Sequence, residues 1–183
     1  MLGYLNRKLG NISVAAKLAL GFAVVLLLTL ATTLSGWRAL DGAIASFRER
    51  AAAHVGKHGA KTAEDVNAQQ AVSESMMTTD QLKLVLFRNY ARIVHCAKTG
   101  EAMPVEERLL QRAQAATVPK LTFERVNELM RACAAAGTYK TNPIERIFRD
   151  IATGRGHIAN NTDIYVRAHG AVMLGLPNSD PYI

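Results

Sequence analysis

The sequence predicts an all-α protein with an N-terminal transmembrane helix, a linker and an antiparallel four-helix bundle. Three observations carry that expectation. Residues 18–37 form an uncharged run long enough to cross a bilayer. From residue 78 onward, helix start and stop signals recur at short intervals. Runs of alternating apolar and polar residues, the mark of strands, are scarce. The boundaries that follow are a membrane anchor over 1–50, a linker over 51–77 and the bundle over 78–183.

The anchor rests on LALGFAVVLLLTLATTLSGW, Leu18 to Trp37. As a helix it reaches about 30 Å, the thickness of a bilayer core. Arg7, Lys8 and Lys17 precede it, and Trp37 suits a membrane interface. A cleaved secretory signal and a buried helix are the rival readings. The run is long for a signal, and no small-x-small site ends it. A single pass through a bacterial inner membrane is expected. Cations lie on both sides of the span, so the side holding the bundle stays open.

Residues 51–77 are rich in Ala, Gly, Ser and Gln, with weak periodicity, and read as a linker holding one loose helical stretch near Ala63–Val72. His54 and His58 stand one helical turn apart there. Gly56 and Gly59 weaken any helix that would present them and no third ligand is evident, so solvated histidines are expected and no metal site. Cys96 and Cys133 lie among apolar neighbours without metal-ligand spacing, as buried free thiols do. The net charge of +7 is spread along the chain rather than gathered in a basic run, and aromatic residues make up only 6%. Nucleic acid is therefore not an expected partner.

Four helices are expected in the bundle. The first covers Asp80 to Lys98 with Thr79 as N-cap. Its apolar stripe is Leu82, Val85, Leu86, Asn89, Ile93 and Cys96, and Gly100 ends it. The second starts at Pro104, with Glu106 and Glu107 in its first turn. It is kinked or interrupted at Pro119 and resumes from Leu121 to Ala136, before Gly137. The third opens on Asn142-Pro143, a cap followed by a first-turn proline. It turns Ile144, Ile147, Phe148, Ile151 and Ile158 to one side and Arg146, Arg149, Asp150, Thr153 and His157 to the other. The fourth runs from Asp163 to about Leu174 and stops at Gly175 and Pro177. Short connections between such helices give antiparallel neighbours.

The third helix holds an anomaly. Gly154 and Gly156 flank Arg155, and each glycine costs about 1 kcal/mol relative to alanine in a helix interior. That cost is accepted where another helix or a flat ligand must come close to the backbone. His157 follows at once. It reads either as a surface histidine near a helix end or as one facing a bound ring, able to donate a hydrogen bond or hold a proton.

Two resemblances stand beside these readings. Asn11-Ile12-Ser13-Val14, Lys17-Leu18, Gly21-Phe22 and the Gly36-Trp37-Arg38 exit resemble the start of bacterial methyl-accepting chemotaxis receptors, over about fifty residues. The second rests on Asn142-Pro143-Ile144-Glu145-Arg146-Ile147-Phe148-Arg149-Asp150, then His157-Ile158-Ala159-Asn160-Asn161, with Met103 to Arg108 and Ala135 to Tyr139 upstream. These segments are similar to the C-terminal helical domain of the acyl-CoA dehydrogenase superfamily, in its branch of two-component flavin-dependent monooxygenases. The bundle is then expected to be of the acyl-CoA dehydrogenase C-terminal type.

The resemblance implies a parent reaction, hydroxylation with oxygen and reduced FAD or FMN delivered by a separate flavin reductase. It implies that Gly137 and Thr138 lie where the family approaches flavin, that Arg149 and Asp150 form a cofactor-side ion pair, and that His157 is the catalytic histidine. It also implies assembly through the bundle, with further copies or with a full-length homologue. Two departures matter. Ala136 stands where the family often has glycine, and Gly154 to Ile158 hold no carboxylate, so dehydrogenation by the usual glutamate base is not expected. The family's N-terminal helical and middle β-domains have no counterpart in these residues. A fused or truncated oxidoreductase is expected, inactive alone and binding no flavin tightly. The alternative is a membrane-anchored chemoreceptor-like or interaction protein whose bundle is not catalytic.

Overall fold

The computed structural model describes the backbone of residues 14–55, 59–180 and 183, and their side chains apart from 14–30, 32, 33 and 159. Five α-helices organise these residues: α1 (Val14–Ala53), α2 (Val66–Thr99), α3 (Val105–Ala132), α4 (Pro143–Arg155) and α5 (Thr162–Met173). Three short 3-10 turns lie between them. The only β feature among the described residues is an isolated bridge from Val55 to Lys61. Helix α3 is the axis and packs against each of the other four helices.

The wall opposite α3 comes from an unexpected place. Leu40, Ala43, Ile44, Phe47 and Ala51 of α1 are buried in the main core with Ala68, Ala71, Val126, Leu129, Ile144 and Ile151. Their spacing along α1 is that of an amphipathic stripe, which the stronger apolar run before it obscures. The last part of the expected membrane span already belongs to the bundle. A Cβ on Gly36 would come within 2.8 Å of Val118, so α1 and α3 meet there more closely than any larger residue allows. Trp37, expected at a membrane interface, meets Phe87 edge-on at 6.5 Å, with the Lys83 ammonium 4.7 Å from its ring. The rest of Leu18–Trp37 lies largely outside the described side chains. Among the described residues, no helix is long and apolar enough to cross a membrane.

The expected linker is also largely part of the bundle. Helix α2 begins at Val66, where the Asp65 carboxylate accepts from Asn67 N–H at 2.9 Å. Ala68, Ala71 and Ser75 are buried on its inner face. Small residues carry little hydropathy, so their helical spacing leaves a faint trace in the sequence. Thr79, expected as an N-cap, is a buried mid-helix residue for the same reason. Gly100 ends α2 in the left-handed conformation at φ 73°, as expected.

Helix α3 is continuous through the buried Pro119 rather than interrupted there. Proline removes a backbone donor and crowds the preceding turn. Nearby, the Thr162 hydroxyl donates to the Ala116 carbonyl at 2.8 Å, supplying a donor from α5. At the other end of α2, Arg92 bridges Glu101 at 2.7 Å and Glu107 at 2.9 Å and ties the helix to the start of α3. Asp180 pairs with Arg112 at 2.9 Å, and the Arg112 guanidinium lies 4.3 Å from the Tyr165 ring centre.

Candidate functional site

The five residues singled out by sequence fall in two adjoining segments: the turn joining α3 to α4, and the outer face and end of α4. The turn is a 3-10 stretch, Ala134–Thr138, entered through Ala134 at φ 51°, an unusual conformation for a side chain larger than hydrogen. Gly137 is buried here. An added Cβ would sit 2.5 Å from the Met130 carbonyl and 3.1 Å from Cys133 Cβ, so the glycine is required by packing against the end of α3. Thr138 is exposed, and its hydroxyl donates to the Ala135 carbonyl at 2.7 Å. Asn142 closes the turn from the far side. Its amide donates to the Ala136 carbonyl at 3.0 Å, while its side-chain oxygen accepts from Ile144 N–H at 3.1 Å. One side chain therefore caps α4 and fixes the turn, a double role that the Asn-Pro cap signal shows only in part. Beneath it, burial pushes the Cys133 thiol above its ordinary pKa.

Helix α4 turns Ile144 and Ile151 inward. Arg149 and Asp150 are both exposed on its outer side. They do not pair with each other, as the resemblance implied. Adjacent residues on a helix point about 100° apart, so each finds its counterion one turn away. Arg149 meets Glu145 at 3.6 Å and Asp150 meets Arg146 at 3.7 Å.

The helix ends at Arg155, earlier than expected. Ile158, expected on the apolar face, is 75% exposed in the 3-10 turn that follows. His157 is exposed between these two elements. Its N–H donates to the Gly154 carbonyl at 3.2 Å, and the Asn160 amide donates to the same carbonyl at 2.7 Å. Among the described residues a Cβ on Gly154 would meet nothing within 4 Å, so the glycine answers no contact among them. Sequence reasoning noted Arg155 only as the residue between two glycines. Its guanidinium lies 4.8 Å from the Phe123 ring centre, and Phe123 meets Phe148 at 5.3 Å. This stack fixes the end of α4 against α3 and thereby positions the His157 turn.

Of the five candidate residues, Thr138, Arg149, Asp150 and His157 are exposed and Gly137 is buried. A groove of about 1050 Å³ between α1 and α2 is lined by none of them. Among the described residues there is no cluster of side chains able to hold a metal ion.

Comparison with known proteins bears on both parts of the chain. The oxygenase subunit HsaA of a flavin-dependent monooxygenase from Rhodococcus jostii is 26% identical over 125 residues, 68% of this chain and 33% of that protein. The chain therefore spans about a third of that relative. The structure of XiaF from Streptomyces sp., in complex with FADH2 and glycerol, superposes with a TM-score of 0.80 at 20% identity, covering 88% of this chain and 41% of that one. That share exceeds what residues 38–183 can supply, so the likeness of fold reaches upstream of Arg38 into α1. A short stretch of 44 residues, 24% of the chain, is 57% identical to 7% of the methyl-accepting chemotaxis protein McpQ of Pseudomonas putida. Residues 38–162 match the family described as acyl-CoA dehydrogenase, C-terminal domain, and this chain belongs to that family.

Proposed function

We infer that the chain is the C-terminal part of a flavin-dependent monooxygenase of the acyl-CoA dehydrogenase type and supplies one wall of a flavin site. The observation that carries this reading is the family match over 38–162, which includes the turn at Gly137 and all of α4. The open space above the His157 turn would leave room for one face of a planar cofactor. Among the described residues the space above Gly154 is open, and the His157 turn is fixed by the Arg155–Phe123 stack. Gly137 and Thr138 would form the edge of that face, with Arg149 and Asp150 beside it. Reduced FAD or FMN would bring the capacity to insert one atom of dioxygen into a substrate. His157 would donate a hydrogen bond to the ring system or hold a proton beside it.

Small-molecule sites normally bury most of their ligand, and this surface is a single open face. The chain alone is therefore expected to bind flavin no more tightly than millimolar and to hydroxylate nothing. A full-length homologue would complete the pocket, and a separate reductase would deliver the flavin. The test is a fluorescence titration of FAD and FMN on the chain, followed by oxygen-consumption assays with and without a full-length relative. Stoichiometric micromolar binding by the chain alone would overturn the one-wall reading.

A second reading concerns location. The uncharged run Leu18–Trp37 with its basic leader, and the 57% identity to a chemotaxis receptor segment, support a single-pass anchor in a bacterial inner membrane. This would make the chain a membrane-held interaction protein with a non-catalytic bundle. The chain should then pellet with membranes and resist alkaline carbonate. Recovery of intact protein in the soluble fraction would remove this reading.

A further inference from the structure

We propose that α1 has two mutually exclusive positions: its uncharged half either lies beside the α2–α3 hairpin or enters a membrane, and it cannot do both with the bundle as folded. The proposal rests on the single-pass reading of Leu18–Trp37 and adds what such an insertion demands of the bundle.

Cross-helix contacts fix the directions and the levels. Helix α1 is antiparallel to α2, since Trp37 meets Phe87 while Asp41 lies 3.4 Å from Lys83. Helix α2 is antiparallel to α3. Glu74 pairs with Arg125, Asn89 donates to Gln114 at 2.9 Å, and Arg92 bonds Glu107 at 2.9 Å. Helix α1 is therefore parallel to α3, and Gly36 stands level with Val118 and Thr122.

From that level the hairpin continues toward its tip. Phe87 to Thr99 rises about 18 Å, and Val118 back to Val105 about 20 Å. The backbone of α1 is one unbroken helix from Val14 and leaves Gly36 toward the same end. Helices α1 and α2 stay together from the Trp37–Phe87 contact to the core shared by Ala51 and Ala68, so their axes are close to antiparallel. Upstream of Gly36 the run thus travels beside the hairpin for about 20 of its roughly 30 Å.

The hairpin cannot follow that run into hydrocarbon. Arg88, Arg92, Lys98, Glu101, Glu106 and Glu107 all lie between the Gly36 level and the tip. Charged groups at such depth are strongly disfavoured, and the irregular backbone from Gly100 to Pro104 would be left without water. Insertion therefore requires α1 to part from α2 and α3 at Gly36, where a Cβ would stand only 2.8 Å from Val118. Leu40, Ala43, Ile44 and Phe47 lie past the span and keep the main core in both positions. Trp37, the one tryptophan of the chain, marks the junction. It packs on Phe87 in the first position and faces the lipid interface in the second.

A disulfide that holds the first position tests the exclusion. In Gly36→Cys/Val118→Cys the new Cβ at 36 falls beside the side chain at 118, within disulfide reach. The full chain, purified in detergent and either oxidised or kept reduced, is added to phosphatidylcholine–phosphatidylglycerol vesicles. The reduced chain should resist alkaline carbonate. The oxidised chain should lose that resistance at least several-fold and regain it on reduction. Each single substitution, with Cys96 and Cys133 present, is the control for oxidation elsewhere. Trp37 emission in the chain with native cysteines is a second measurement. Phe87→Leu should shift it in detergent without vesicles and leave it unchanged in the membrane-bound chain, where brominated acyl chains should quench it. An oxidised chain that resists carbonate as fully as the reduced one would overturn the proposal and leave the anchor reading standing. Equal sensitivity of Trp37 to Phe87→Leu in both environments would overturn it as well, whether or not the cysteine pair oxidises. Complete extraction of the unsubstituted chain by carbonate would overturn the anchor reading, and the proposal with it.

Discussion

The wall built by α1, α2 and α3 and the end built by α4 and α5 treat their apolar residues very differently. In the first, Leu40, Phe47, Val126 and Leu129 are at most 1% exposed and interlock from separate helices. In the second, α5 buries only Ala168, while Ile158, Ile164, Val166, Met173 and Leu174 stand 46% to 83% exposed. The main core accounts for cohesion within the chain. At the outer end, which also carries His157, Ile144 and Ile151 of α4 reach the main core while these five apolar residues stay largely exposed. Stability and site chemistry are therefore separable here, and substitutions in the two regions should divide accordingly.

The largest effect is expected at Phe47. Truncation to alanine leaves a cavity between α1, α2 and α3 and should lower unfolding stability by about 3–5 kcal/mol. Denaturant unfolding followed by far-UV circular dichroism measures it. Ile164→Ala, at a site 46% exposed, should cost less than about 0.5 kcal/mol in the same assay. Equal costs at the two positions would break the comparison.

Gly137→Ala comes next, at about 1–3 kcal/mol, because the new methyl must displace the backbone carbonyl of Met130 rather than a flexible side chain. The effect should appear as a lower melting temperature. This substitution separates packing from cofactor contact at a glycine that the family resemblance tied to flavin. An unchanged melting temperature would return Gly137 to a purely cofactor-facing role.

Ala134→Gly should act in the opposite direction. The left-handed backbone at φ 51° costs a residue with a Cβ about 1–2 kcal/mol. Glycine relieves that and loses roughly 0.5–1 kcal/mol to its freer unfolded chain. A net gain of about 0.5 kcal/mol is expected, read from the same melting curves. A clear loss would show that the turn is held by something other than its own backbone preference.

The same two regions explain what was legible in the sequence. The Asn142-Pro143 start of α4, the Gly100 end of α2 and the acidic first turn of α3 were readable because capping chemistry is local. The role of α1 in the bundle was hidden, since the run before Trp37 dominates any measure of hydropathy and masks the weaker stripe through Leu40, Ile44 and Phe47. The start of α2 was hidden because alanine and serine bury well but signal poorly. At the candidate site the residue types were readable and their contacts were not. The Arg155–Phe123 stack joins residues distant in sequence, and no spacing rule links them.

A smaller effect is expected with pH. Glu101 is held below its ordinary value of 4.5 by hydrogen bonds and charge from Arg92, and Glu74 is lowered by Gln70 and Arg125. A lowered carboxylate contributes stability above its unfolded value and loses that contribution as pH falls through its folded one. The raised Cys133 thiol works in the other direction. Its contribution is present below its ordinary 9.0 and is lost as pH rises through the higher folded value. Melting temperature should therefore be flat between the two limits, with decline below 4.5 and above 9.0. Glu101→Gln should soften the acid limb only. An acid limb unaltered by that change would assign it to other carboxylates.

The smallest stability effect is expected at His157, and there it is the informative result. Its residue is exposed, and its backbone N–H and the Asn160 amide both donate to the Gly154 carbonyl, which holds the turn. His157→Ala should thus change unfolding stability by no more than about 0.5 kcal/mol, the usual range for a surface substitution. Arg155→Ala should cost more, because it removes the stack on Phe123 that fixes the end of α4. In hybrid assemblies with a full-length relative the ranking should change. His157→Ala should reduce oxygen-dependent hydroxylation while leaving assembly intact, whereas Arg155→Ala should reduce both, and His157→Gln, which keeps a donor, should recover part of the activity. Assembly is read by co-purification and activity by product formation, so the two losses are measured separately. A His157→Ala chain that unfolds early, or that assembles and hydroxylates normally, would remove the histidine from the site and leave the open face of α4 as a docking surface alone.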